Sequence, residues 1–513
     1  MSKRLAQQRI RGTFLSDLSL SKYCRKNCFL VVLLLVVVLS TSISAQPSGL
    51  RIVESSLHTR HISQHGVTWH FDREVEFGQF ANGDYWVVGP VTIIEINPIS
   101  TDTAGRIRHG SMLNPTYGDV QGFDNAMARH SYSASNNVAR PNGIDMSVTN
   151  PLKVQSGSLV SSITHDTAAR RPQLADVAIL TILDDAPRAG SLRPPWSGST
   201  KLVRWNVSDI RWDLRRDNVV ERTPDVLSTM PSIQTLERWV ERPWFEYTGG
   251  TWTNRYIPPS NNRPDYGRDV ANQLGQVSLA LLLDFPRAQV EELMVSYLQV
   301  GIDLYGVTKS ASNLFNNSTQ GHFWHGGGGI SHGRKWPILF AGLMFNDTNI
   351  LEYVDAGGYR HRWDSPNWEA ESGYPIFQEE QQMFIVAQGD IDQSRMTSDN
   401  RTRHPYTSEH LGLPEWGEQH MFNPQKDGSN WNAAYRDIVS NSIMSHVLSA
   451  MMFEHTGQTG KSARDLWNWE PIFDYMDRYW IHVDPSAGSN RARQFVIDMW
   501  QQYRDRYGPA WEP

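Results

Sequence analysis

The hydrophobic pattern of the chain changes period once, near residue 230, and that change sets its fold class. Before it, apolar residues recur every second position. Val67, Trp69 and Phe71 alternate with Thr68 and His70, the signature of a strand with one buried face. Asn82-Gly83 between two apolar runs predicts a hairpin turn. Tyr85–Val88 and Val91–Ile96 are rich in β-formers, and Val177–Leu183 is a further apolar run closed by Asp184-Asp185. Val203, Trp205 and Val207 alternate again, after the Pro- and Gly-rich joint Arg193–Gly198. After residue 230 the spacing is helical. Val270, Leu274, Val277 and Leu281 fall on one helix face, and Val290, Leu293, Met294, Tyr297 and Leu298 repeat the pattern beyond a break at Asp284-Phe285-Pro286. Trp336–Phe345 is apolar all round and predicts a buried helix. Tyr435–Glu454 is long, helical and dotted with serines, and Phe495–Tyr503 forms a last apolar stripe. The expectation is a multidomain α+β protein: an antiparallel β-sandwich over residues 46–230, then an α/α toroid, or incomplete helical barrel, over 231–513. The absence of a fixed sequence repeat argues against an open solenoid.

The first 45 residues read as a leader rather than as fold. Lys3, Arg4, Arg9, Arg11, Lys22, Arg25 and Lys26 precede an apolar run, Phe29–Leu39, and small residues follow to Ala45. That order predicts a secretory signal cleaved near Ala45, with an uncleaved anchor as the alternative. The run is shorter than the roughly 20 residues a membrane-spanning helix needs. Both cysteines, Cys24 and Cys28, lie in this leader, so residues 46–513 have no disulfide, thiolate metal site or cysteine nucleophile. A large exported chain without disulfides fits a periplasmic or secreted location. The leader carries seven basic residues and one acidic residue, so its loss takes the formal charge from −6 to −12. Such a surface disfavours nucleic acid and anionic membranes as partners. An anionic substrate must then meet a locally basic cleft.

Candidate chemistry is densest between Gln320 and Pro337. His322, His325 and His332 flank the run Gly326–Gly329, and Arg334 and Lys335 follow. Four consecutive glycines are costly in chain entropy and make sense where backbone must approach something closely. Four readings stand: a divalent-metal site at His322, His325 and His332; a phosphate cradle; an acid/base site with Arg334; or a loop with solvent-facing histidines. No HExxH pattern is present, and the spacing departs from GxxxxGK[ST]. Nor do GxSxG or a strand-linked GxGxxG appear, which removes the usual support for acyl transfer and nucleotide redox chemistry. A second cluster, Tyr435-Arg436-Asp437, opens the long helix, where an arginine can hold a carboxylate and a phenol can carry a proton. Its bland alternative is a helix-start ion pair with a core tyrosine. A third, Asp265–Asn272, includes Tyr266 and precedes an apolar stripe, with helix capping as the simpler reading. A fourth, Pro414–His420, holds Glu415, Trp416, Glu418 and His420 and reads as a sugar-binding loop or a turn.

A sheet module joined to a helical array, with His, Tyr and Arg clusters at loop-to-helix joints, resembles the α/α-toroid polysaccharide lyases, including heparinase II/III-like and alginate-lyase-like proteins. In that family the sandwich often follows the toroid; here the β part comes first. The resemblance implies β-elimination at a uronic acid of an anionic polysaccharide, with no cofactor required. It implies Tyr435 as base or acid, His332 as its partner, and Arg334 and Arg436 as neutralisers of the substrate carboxylate, with Asn272 a weaker candidate for that task. Tyr266, His322, His325 and His420 would contact substrate. Trp324 and Trp416, and Trp336 if it is not core, would serve as sugar platforms. The runner-up is a glycoside hydrolase on the same scaffold, drawing paired carboxylates from Asp269, Glu415, Glu418 and Asp437. The third reading is a noncatalytic glycan-binding envelope protein.

Overall fold

In the computed structural model the described residues are 57–116, 118, 120–139, 146–247, 252–312, 324, 328–355, 375, 377–392, 406–417, 431, 434–483 and 493–512. The predicted leader, residues 1–45, lies outside them. The chain is mixed α+β, with an N-terminal sheet region and a helical C-terminal part. The strands are β1 (Leu57–Gln64), β2 (Val67–Gln79), β3 (Tyr85–Val88), β4 (Val91–Asn97), β5 (Asp102–Thr103), β6 (Arg106–Ile107), β7 (Ser111–Leu113), β8 (Val120–Gln121), β9 (Ser131–Tyr132), β10 (Leu152–Val154), β11 (Gly157–Thr164) and β12 (Leu174–Leu183). Eight of them make one sheet in the order β10-β4-β2-β3-β12-β11-β7, with β1 also paired to β2. Its pairs are antiparallel except β3 with β12, where Leu180 aligns with Tyr85 and Leu183 with Val88.

The expected hairpin forms between β2 and β3, with Gln79 opposite Tyr85 and Gly83 in the left-handed region at φ 87°. β12 explains why its sequence is apolar without alternation. Ala178, Leu180 and Ile182 face a core inside the sheet region, formed with Trp69, Val87 and Ile93. Leu174, Val177 and Ile179 face the opposite way, into a core shared with the helices. A strand buried on both faces needs no polar side.

The segment Val203–Val207 departs from expectation: it is not a strand, and only Asn206 makes a bridge, to Ser191. Its alternation has another cause. Val203 packs on Phe80, Trp86 and Leu183, whereas Trp205 and Val207 belong to the core shared with the helices. The segment threads between two cores.

Helices begin before residue 230, with α1 (Trp212–Asn218), α2 (Pro224–Thr229) and α3 (Ile233–Val240). Then come α4 (Gly267–Leu281), α5 (Arg287–Ser312), α6 (Lys335–Phe345), α7 (Thr348–Tyr353), α8 (Gln378–Gln382), α9 (Gln388–Asp392), α10 (Ala434–Met452), α11 (Ala463–Trp467), α12 (Pro471–His482) and α13 (Gln494–Tyr503). The break between α4 and α5, the buried α6, the serine-dotted α10 and the terminal α13 match the sequence pattern. None of the described helices is long and apolar enough to cross a membrane.

Two features position the rest. The first is Arg193, fully buried between the sheet and the helices. Its guanidinium bonds Asp84 of the β2–β3 turn at 2.5 Å and both oxygens of Asp303 on α5 at 2.5 and 3.0 Å. Its backbone exchanges hydrogen bonds with Gln299 one turn away. Arg193→Met leaves two buried carboxylates without their counter-ion. A loss of about 3–5 kcal/mol in unfolding free energy is expected, read from the urea midpoint.

The second is the seam between α4 and α10. Ala271 O meets His446, Gly275 meets Ser445, and Ser278 Oγ bonds Ser449 Oγ at 2.9 Å. From Ala271 with His446 to Ser278 with Ser449 both positions advance, and Gly329 lies against both Tyr266 and Ile438, so α4 and α10 run parallel with their N-termini at the same end. A Cβ at position 275 would lie 1.8 Å from Ser445 Oγ. Gly275→Ala is therefore expected to cost about 1–3 kcal/mol of stability, and adding Ser445→Gly to recover part of it, measured by chemical denaturation.

Candidate functional site

The N-terminal ends of α4 and α10 are crossed by the segment Gly328–Gly333. Arg268 N–H donates to Gly329 O at 2.9 Å, joining the first turn of α4 to the loop. Gly267 makes this crossing feasible: a Cβ there would sit 2.0 Å from Ile330 O. The glycine-rich stretch thus does bring backbone into close approach, and what it approaches is α4. The Tyr266 hydroxyl accepts the Gly329 N–H at 3.0 Å. The Tyr266 ring lies beside two guanidiniums, with Arg255 4.7 Å and Arg268 5.4 Å from its centroid. Tyr266 is half-buried.

His332 is enclosed. Its Nε2 bonds Ser442 Oγ on α10, and the Gln378 side chain lies beside it. Burial, reinforced by the Arg334 charge and by His446, holds its pKa well below the usual imidazole range, so the ring is neutral. His446, one turn beyond Ser442, donates its Nε2–H to Ala271 O at 2.8 Å, and burial lowers its pKa to about 4. Around this pair, Asn272 Oδ1, Ser331 Oγ, Ser445 Oγ and His446 Nδ1 have no hydrogen-bond partner among the described residues. Orphaned buried polar atoms are rare in folded proteins and often mark functional ground.

The two arginines expected to bind a substrate carboxylate are engaged internally. Arg334 bonds Glu246 at 2.6 Å and its own loop at His332 O, and it lies 5.5 Å from the Trp324 ring centroid. Arg263 bonds the same Glu246. Burial alone would raise the Glu246 carboxyl, but the Arg263 and Arg334 charges outweigh it and hold its pKa near 2. Arg436 pairs with Glu415, 1% exposed on its own side, and covers the Trp431 ring at 5.2 Å. Both guanidiniums are thus removed from solvent and already neutralised.

The three tryptophans are interior. Trp324 donates to Thr308, Trp336 to Ser278, and Trp416 to Gln382. Each is at most 1% exposed, so none offers a ring face to a sugar. Asp269 pairs with Arg268, and Asp437 accepts from Asn441 and Tyr479. Burial raises the pKa of Asp437. Tyr435 falls in the first turn of α10, at the same end as Tyr266. Its side chain lies outside the described residues, as do His322, His325, Glu418 and His420. The metal reading at His322, His325 and His332 therefore falls mostly outside them too. Its one described member, His332, already has its Nε2 engaged by Ser442, and the described residues contain no group of three or more potential ligands.

Sequence reasoning missed Glu246, Gln378, Glu379 and His446. Glu246 had a signal: a lone carboxylate within Trp244-Phe245-Glu246-Tyr247 implies a buried charge with a partner. His446 lay four residues after Ser442 on the serine-dotted stretch. Gln378 and Glu379 had none, because a run of five polar residues reads as surface.

Comparison with protein-family models, curated proteins and solved structures returns no match to this chain.

Glu379 is fully buried, and its carboxyl pKa is pushed up by that burial to about 7. Folding therefore favours its protonated form. The group costs nothing below about pH 4.5 and progressively more as pH rises through 7. Glu379→Gln is expected to stabilise the fold at pH 8, by on the order of 3 kcal/mol, and to have little effect at pH 4.5. Thermal melts at the two pH values check this.

Proposed function

We propose that the protein is an exported polysaccharide lyase that cleaves a uronic-acid-containing glycan by β-elimination. The architecture proposed for it is an N-terminal β-sandwich on an α/α-toroid. Support for the toroid comes from helix direction, with α4 and α10 parallel and packed side by side. Contacts of Tyr475 with Ser440 and of Tyr479 with Asp437 run the opposite way along α12.

The observation that carries the reading is Tyr266. It is a half-buried phenol whose oxygen sits on a backbone amide, beside two guanidiniums, at the shared N-terminal end of two parallel helices. Helix N-termini carry partial positive charge and favour anions. Arg255 and Arg268 are themselves paired with Asp265 and Asp269, and together with the helix N-termini they are the cationic groups proposed to meet a uronate. Arg334 and Arg436 are held in buried pairs, so the carboxylate-neutralising role passes to Arg268. Its side chain is 26% exposed and shares its charge with Asp269.

With the uronate carboxylate neutralised, the proton on the adjacent C5 becomes acidic. The Tyr266 oxygen, acting as phenolate, takes that proton. The C5 electron pair forms the C4=C5 bond, the C4–O bond breaks, and the departing oxygen recovers the proton from the phenol. The neutral, enclosed His332 shapes the loop behind the phenol and does not itself meet substrate. Tyr435, in the first turn of α10, is the alternative phenol.

The test is incubation of the purified protein with a panel of uronate polysaccharides. An ultraviolet-absorbing unsaturated product is expected. Tyr266→Phe should lower turnover by about a hundredfold or more with the fold retained, and Tyr435→Phe by less than tenfold. The reverse ranking moves the role to Tyr435. New reducing ends without absorbance would instead favour a hydrolase. Neither product would remove the enzyme reading.

A further inference from the structure

Helix α8 is unusual in being wholly polar and wholly interior. Its five residues, Gln378-Glu379-Glu380-Gln381-Gln382, are all at most 7% exposed. A helix without an apolar face has no hydrophobic reason to lie inside, and burying its groups is costly unless each is hydrogen-bonded. Two of its side chains bond one loop. Gln378 Nε2 donates to Gly328 O at 2.5 Å, and Gln378 Oε1 accepts Ser331 N–H at 2.7 Å. Glu379 Oε1 accepts Gly333 N–H at 3.3 Å. Backbone on both sides of His332 is therefore gripped by side chains some 46 to 50 positions further along the chain. The grip is itself anchored. Glu380 pairs with Lys335 at the start of α6, and Gln382 accepts Trp416 Nε1–H at 3.2 Å.

We infer that α8 is a positioning element: Gln378 and Glu379 hold the Gly328–Gly333 segment in the register that brings the Gly329 amide to the Tyr266 oxygen and the His332 ring to Ser442. This rests on the proposed role of Tyr266 in β-elimination. Neither α8 residue touches substrate. Each acts through the loop backbone, and small displacements of a reacting geometry are enough to slow chemistry strongly. A glycine-rich loop has little stiffness of its own, so an external clamp is what such a loop requires.

The experiment uses the full chain with histidine-selective isotope labelling, and compares Gln378→Leu, Glu379→Leu and Glu379→Gln. Two readouts are taken: kcat and KM on the uronate polysaccharide, and the His332 ring resonances, assigned by their loss in His332→Gln. Gln378→Leu and Glu379→Leu are expected to lower kcat by about tenfold or more with KM within about twofold, and to shift the His332 signals. Glu379→Gln keeps an acceptor for Gly333 N–H and is expected to retain kcat within about twofold. Unchanged kcat and unchanged His332 signals in Gln378→Leu overturn the inference, as does loss of activity in Glu379→Gln equal to that in Glu379→Leu. If Glu379→Leu does not fold, Gln378→Leu and Glu379→Gln decide it. If the wild-type protein cleaves no uronate glycan, the functional reading fails while the His332 signals still decide the positioning claim.

Discussion

The candidate site exists because two helices from distant parts of the sequence lie unusually close. Gly275, Ser278, Ser445 and Ser449 remove side-chain bulk from the α4–α10 seam, and hydroxyls serve as contacting atoms. Parallel packing then sets both N-termini at one end, and the Gly328–Gly333 segment can reach across them. Larger residues along this line would force the helices apart and separate Tyr266 from the loop amide it receives. The polar seam also gives His332 and His446 hydroxyl and carbonyl partners that let neutral imidazoles sit in the interior.

Charge is used inside this fold to a degree its composition does not announce. Arg193 between Asp84 and Asp303, Glu246 between Arg263 and Arg334, Lys335 with Glu380, Arg436 with Glu415 and Arg504 with Asp477 are all removed from water. Buried pairs of this kind add little net stability relative to apolar packing, but they penalise any arrangement that leaves one partner alone. They therefore act as specificity devices. Each permits one placement of the elements that carry it.

Those pairs also mark where the sequence stopped being informative. Elements with strong periodicity were readable: β2 from Val67, Trp69 and Phe71, α6 from its unbroken apolar run, α10 from its length. Val203–Val207 carried a true period of two for a reason unrelated to sheet pairing, since its alternate residues feed two different cores. The end of the glycine run lies where Tyr266 and His332 come together, with Gly329 N–H on the Tyr266 oxygen. Arg334 and Arg436 read as carboxylate-binding groups, but sequence does not say whether a guanidinium's partner is a ligand or the protein's own carboxylate. The partners, Glu246 and Glu415, lie 88 and 21 positions away and share no motif with them. α8 was invisible for a related reason: its polar run is buried because of bonds to a loop some 50 residues earlier, and no local pattern encodes that.

The ionic ties have a consequence for how the chain reaches its final state. Residues 46–513 contain no thiol, so the links between distant stretches, such as position 193 with position 303, are electrostatic rather than covalent. A covalent staple constrains the denatured chain and needs an oxidant to form. An ionic staple does neither: it forms only when the surrounding packing excludes water. Folding of residues 46–513 therefore needs no oxidation chemistry, and reductants should leave the ties within them untouched.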